Sequence, residues 1–160
     1  TEMHCAVGPE QWEMGGHHAT WFPDGQRISM NLDINREGFV RFVQVNADGS
    51  GLRLMRDDVI GSGHPTVYPG GRHLLTDTYP EERVAFGDGT GPLRWVDLET
   101  GAEQTVVRIQ IKPPCPDRTL RLDPHPAWDR TWRHVAFNAI ADGVRRVFIA
   151  DMTKLVGKSD

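Results

Sequence analysis

At 160 residues, with 38% hydrophobic and 25% charged side chains, 17 glycines and 11 prolines, the chain has room for one ordinary core and many turns. A net charge of −4, with basic residues scattered singly or in pairs, excludes the basic stripe of a nucleic-acid binder. Nothing approaches the roughly 18 apolar residues needed to cross a bilayer, and no leader of charged then apolar residues opens the chain. A soluble protein with no nucleic-acid or membrane partner is expected. The two cysteines, Cys5 and Cys115, stand at no motif spacing and read as reduced thiols, with a disulfide or a shared metal as alternatives.

The chain repeats itself. Segments 18–31, 64–77 and 125–138 align without a gap. Each opens on a histidine: His18, His64 or His125. Trp21, Val67 or Trp128 follows at one common position, and Ile28, Leu74 or Val135 at another. Each closes on a short polar residue: Asn31, Asp77 or Asn138.

In chain order, a first strand begins at each histidine and a tight turn leads to the second. Pro23, Asp24 and Gly25 make the first turn, and Pro69, Gly70 and Gly71 the second, because proline presets φ and glycine accepts a positive one. The third copy carries Arg130, Thr131 and Trp132 there, and a looser turn is expected. A third strand, rich in apolar and β-branched residues, is predicted at 39–45, 93–98 and 144–152. A last strand follows at 52–55 and at 104–111.

Repeats of this length fit four-stranded propeller blades, which run about 40–50 residues. The expectation is an all-β fold, a β-propeller with about three four-stranded blades at 15–60, 61–112 and 122–156. Insertions at 80–92 and 112–122 lengthen the second unit. A solenoid or a sandwich is the alternative fold. Closed propellers have about four to eight blades. Residues 1–160 are therefore expected to form part of one propeller domain in a larger ring. Other blades of that ring, or further copies of the chain, would cover the open sides.

The first strand of a propeller blade lies innermost, along the channel. His18, His64 and His125 should therefore face one funnel at one depth. Neutral imidazoles suit Zn, Mn, Fe or Ni, and adding Asp123 gives a mixed nitrogen and oxygen set that leans toward Mn or another metal with open positions. The same rings can instead cap the strand entries by bonding a neighbouring blade's carbonyls. Both readings stand at this point. His73 and His134 read as packing or surface residues. His17 should alternate to the other face of its strand unless the backbone is irregular. Tyr79, just before Pro80, reads as a packing aromatic or as a proton donor. Of Trp12, Trp95 and Trp132, at least two are expected to pack in blade cores.

The strand turn with Trp21, Pro23, Asp24 and Gly25 resembles the propeller repeats of the Tol-type translocation proteins. More narrowly, the His-initiated repeats, with Asp123 two residues before His125, resemble the oligogalacturonate lyases and related propeller polysaccharide lyases. The resemblance covers most of residues 15–155. It implies a seven-bladed ring that cleaves uronic-acid-containing glycans by metal-assisted β-elimination. By position, His18 is similar to that family's Brønsted base, and His64 and His125 to metal ligands. Asp123 stands where the family has another histidine ligand, and the family's glutamine ligand has no counterpart here. Ulvan lyases on a similar ring combine His, Tyr and Arg, which brings Tyr79 and Arg94 into the expected catalytic group beside His18.

An elimination at a uronic acid needs its carboxylate neutralised, a base for the neighbouring C–H, and a proton for the leaving oxygen. The resemblance implies a divalent metal for the first, Mn ahead of Zn, Fe or Ni, with Arg94 or Arg121 assisting. His18 would serve for the second and Tyr79 or water for the third, while Arg83 reaches substrate from its loop. The expected partner is an acidic oligosaccharide. The alternative is a non-catalytic Tol-type scaffold that binds proteins. The bacterial cytoplasm is expected ahead of the periplasm.

Overall fold

The computed structural model describes residues 2–112 and 122–157. A short helix, α1 (Pro9–Trp12), precedes three antiparallel sheets. The first contains β1 (Gly16–Trp21), β2 (Arg27–Leu32), β3 (Arg41–Asn46) and β4 (Arg53–Leu54). The second contains β5 (Thr66–Val67), β6 (His73–Thr76), β7 (Thr90–Asp97) and β8 (Glu103–Gln110). The third contains β9 (Ala127–Trp128), β10 (His134–Ala141) and β11 (Val144–Asp151), and α2 (Thr153–Val156) follows it. Sequence neighbours are sheet neighbours throughout, which is the meander of a propeller blade.

The third blade has three strands among the described residues, not the expected four. After β11 the Asp151 carboxylate accepts the Thr153 N–H at 2.9 Å and its hydroxyl at 2.6 Å, and the chain turns into α2. Val156 then closes onto the core. The third turn also differs from expectation. Trp132 adopts φ 57°, the left-handed conformation of Gly25 at 67° and Gly71 at 80°. Its N–H donates to Asp129 O at 3.2 Å, as Gly25 does to Phe22 O and Gly71 to Tyr68 O. The turn is the same tight one. Asp129 supports it by accepting the Arg133 and His134 N–H groups.

The blades pack face to face, and strand alternation decides which side chain serves which interface. Leu74, with Val67 and Val96, joins Phe22, Phe42 and Val59 between the first and second blades. The adjacent Leu75, with Leu93, Trp95 and Ile109, meets Val135, Phe137 and Ala139 of the third. Met30, Leu32 and Val43 line the remaining face of the first blade, covered by Val7 and Met14 of the N-terminal segment. Each fully buried Leu or Val contributes about 1.5–3 kcal/mol. Stability is therefore distributed over inter-blade contacts, and those contacts fix how the strand entries approach one another. No helix among the described residues is long and apolar enough to cross a membrane.

Candidate functional site

The three repeat histidines converge because each strand entry is kinked. His18 and His125 take φ 58° and 47°, and in the second blade Gly63, just before His64, takes 47°. Left-handed backbone at a non-glycine residue costs about 1–2 kcal/mol and marks a conformation that the surroundings must hold. In β1 the register also shifts between His17 and Thr20.

Ring centroids lie 3.8 Å apart for His18 and His64 and 3.4 Å for His64 and His125. The Tyr79 hydroxyl joins the group, 2.8 Å from His18 Nε2 and 3.3 Å from His64 Nε2. His64, Asp123 and His125 each turn a donor atom to a common point, all within 4.8 Å of one another. His64 is buried, Asp123 half-buried and His125 exposed, so the point opens toward solvent. His17 reaches the cluster as well, its ring 4.5 Å from His18, because the bulge breaks strict alternation.

Asp77 lies beneath the rings and is only 1% exposed. Its carboxylate oxygens stand 3.0 and 2.9 Å from His64 Nδ1. They also accept the His64 N–H at 2.5 Å and the His125 N–H at 3.0 Å. Burial pushes this carboxyl up, but the hydrogen bonds from the His64 ring and from the two backbone N–H groups outweigh it and hold the group below the usual aspartate range. Glu82, from the insertion at 80–92, accepts the Tyr79 N–H at 2.8 Å and the Gly63 N–H at 3.4 Å. Burial raises its carboxyl above the ordinary value. His18 is pushed down to about 4, first by burial and then by the neighbouring His64 and His17, so it is a neutral imidazole at neutral pH.

Five of the six expected site residues are therefore together: His18, Tyr79, His64, Asp123 and His125. Arg94 is not with them. It is 2% exposed, its guanidinium clamped by Glu103 at 2.8 and 2.9 Å and donating to Ser62 Oγ and Ile60 O. Its position in the third strand of its blade commits it to tying the second blade to the loop that enters it. The Arg83 guanidinium stacks 4.3 Å over Phe39, and Arg121 lies outside the described residues. Trp95 and Trp132 pack with Tyr68 and Trp128, while Trp12 is 44% exposed. His73 stacks on Trp95 at 4.9 Å, and exposed His134 faces Asp129. Asp77 and Glu82 were not singled out as site residues in the sequence. Asp77 was visible as the polar residue that ends its repeat; Glu82 carries no repeat signal.

Among solved structures, oligogalacturonate lyase of Vibrio parahaemolyticus superposes with a TM-score of 0.64 at 16% identity, over 86% of this chain and 35% of that one. An oligogalacturonate lyase in complex with manganese gives 0.62 at 17%, over 85% and 35%. TolB of Acinetobacter baumannii gives 0.58 at 14%, over 83% and 29%. These likenesses show a β-propeller fold, and the chain spans about a third of each of those structures. No family model matches the chain. An alignment 99 positions long is 32% identical to basal cell adhesion molecule of Homo sapiens, covering 48% of this chain and 16% of that protein. That extent assigns no family.

Proposed function

We propose that this chain carries the metal-binding and acid–base centre of a propeller lyase that cleaves uronic-acid-containing oligosaccharides by β-elimination. The observation that carries the reading is the His18–Tyr79 hydrogen bond of 2.8 Å, set against the donor group of His64, Asp123 and His125. Two imidazoles and one carboxylate suit a divalent ion with open positions, Mn first and Zn, Fe or Ni as alternatives. Such an ion, when bound, neutralises the substrate carboxylate and so acidifies the neighbouring C–H.

The chain's own residues complete the chemistry. His18, neutral at working pH, accepts the proton from the carbon next to the carboxylate. The freed electron pair forms the new C=C bond and the glycosidic C–O bond breaks. Tyr79 donates its hydroxyl proton to the leaving oxygen. The proton on His18 then returns to Tyr79 along their shared hydrogen bond, and both groups are reset. Burial of His18 and the backing of Tyr79 by Glu82 keep the pair in place without substrate.

The test is metal content by elemental analysis, repeated after titration with Mn, Zn, Fe and Ni, on the wild type and on a His64→Ala/His125→Ala double variant. Oligogalacturonides are then screened for unsaturated products by ultraviolet absorbance. Stoichiometric metal that disappears in the variant, with product formed by the wild type, is expected. A wild type that takes up no metal and forms no product would overturn the reading. It would leave a protein-binding scaffold, the second reading, to which the TolB likeness at TM-score 0.58 lends support.

A further inference from the structure

We infer that Asp77 is a positioning residue that holds His64 in its Nδ1–H tautomer, so that Nε2 is presented as a lone-pair donor beside Asp123 and His125. One Asp77 oxygen accepts the His64 backbone N–H and the other the His125 N–H. Both lie within 3.0 Å of His64 Nδ1. A carboxylate whose two oxygens are already accepting has no proton to give, so Nδ1 donates, and in the neutral ring Nε2 is the nitrogen that carries the lone pair. A carboxylate behind an imidazole also raises its basicity and fixes the ring plane, the usual second partner of a metal-binding histidine.

The repeat explains why the residue is an acid. Asn31 occupies the same repeat position in the first blade, and its amide donates to the carbonyls of Ser62 and Gly63 at 3.3 and 2.7 Å. Asn138, in the third, donates to the Asp123 carbonyl at 3.1 Å. In both blades the position faces carbonyls and an amide answers them. In the second blade it faces two backbone N–H groups and the His64 ring nitrogen, and an acceptor with no hydrogen answers the two N–H groups and leaves the ring nitrogen to donate. Asp77 therefore references two ligands on different blades to one buried group.

The metal half of this inference rests on the reading proposed above; the tautomer half does not. The first measurement is the long-range ¹H–¹⁵N spectrum of the wild-type histidine rings at neutral pH, with His64 assigned by its loss in His64→Gln. An Nδ1–H signature for His64 is expected, and an Nε2–H signature would overturn the inference. The second is isothermal titration of metal-free protein with Mn²⁺. Asp77→Asn, with unchanged circular dichroism, is expected to weaken affinity by about 10- to 100-fold and to shift the tautomer signature. Wild-type affinity in a folded Asp77→Asn would also overturn it. If the wild type binds no Mn²⁺ yet shows Nδ1–H, the metal reading fails and the positioning role stands. The wild-type spectrum needs no Asp77 variant, so a variant that fails to fold leaves that decision intact.

Discussion

Replacing Gly63 by alanine tests how tightly the strand entry is built around Asp77. Gly63 has φ +47°, and a Cβ there would overlap both the Asp77 carboxylate and the Asp77 carbonyl. The residue cannot easily retreat. Its carbonyl accepts Asn31 Nδ2 from the first blade at 2.7 Å, and its N–H points at Glu82. The left-handed conformation costs a non-glycine residue about 1–2 kcal/mol, and forcing an extra carbon into a filled site adds about 1–3 kcal/mol. A total of about 2–5 kcal/mol is expected. Gly25→Ala is the control: its φ is +67°, with open space where the Cβ would go, so only the first cost applies. Urea denaturation compares the two through the shift in midpoint at constant slope. If Gly63→Ala costs no more than Gly25→Ala, the close approach of Asp77 to the strand entry is wrong, and the positioning argument loses its geometry.

Tyr79→Phe keeps the ring and removes the proton; kcat on an oligouronide should fall by about 10²- to 10⁴-fold with metal content unchanged, and an undiminished kcat would remove Tyr79 from the proposed chemistry. His73 stacks on Trp95 and burial depresses its folded-state pKa below the ordinary 6.5. Its neutral form is favoured in the fold, so its contribution is fully present above about pH 6.5 and is lost as pH falls through the lower folded value. His73→Gln should therefore flatten the decline of unfolding free energy below that pH, measured by urea titrations at several pH values. Val147 and Ile149 are 70% and 73% exposed on β11, on a blade face whose counterparts in the other two blades are covered. Ile149→Lys should lower concentration-dependent self-association in sedimentation experiments while leaving the melting temperature unchanged.

What the sequence revealed and what it concealed divide along a physical line. The strands, the turns and the meeting of His18, His64 and His125 follow from the period of the repeat, because equivalent positions of adjacent blades are neighbours around one axis. Trp132 takes glycine's conformation in a turn whose following N–H groups are accepted by Asp129, as Asp24 accepts those of Gln26 and Arg27 in the first turn. His17 entered the cluster only through a bulge that no alternation rule shows. Arg94 is expected in the catalytic group from the ulvan-lyase resemblance, but strand alternation turns it toward Glu103 and Ser62. Glu82 lies in an insertion without a repeat partner, so nothing in its spacing tied it to Tyr79.

The strained entries and the inter-blade contacts are parts of one arrangement. His125 is left-handed, and its N–H is held by Asp77 of the preceding blade. Asn31 likewise grips the Ser62 and Gly63 carbonyls across the first interface, next to the kink that presents His64. The kinks at Gly63 and His125 are therefore each stabilised by a residue ending the second strand of the blade before it. Unfavourable backbone of this kind persists only where surrounding contacts over-determine it. It follows that the donor group of His64, Asp123 and His125 depends on docking of the second and third blades, not on either blade alone. A substitution in the apolar interface formed by Leu75, Trp95, Val135 and Phe137 should consequently disturb the geometry of that group as well as stability, although none of those side chains belongs to it.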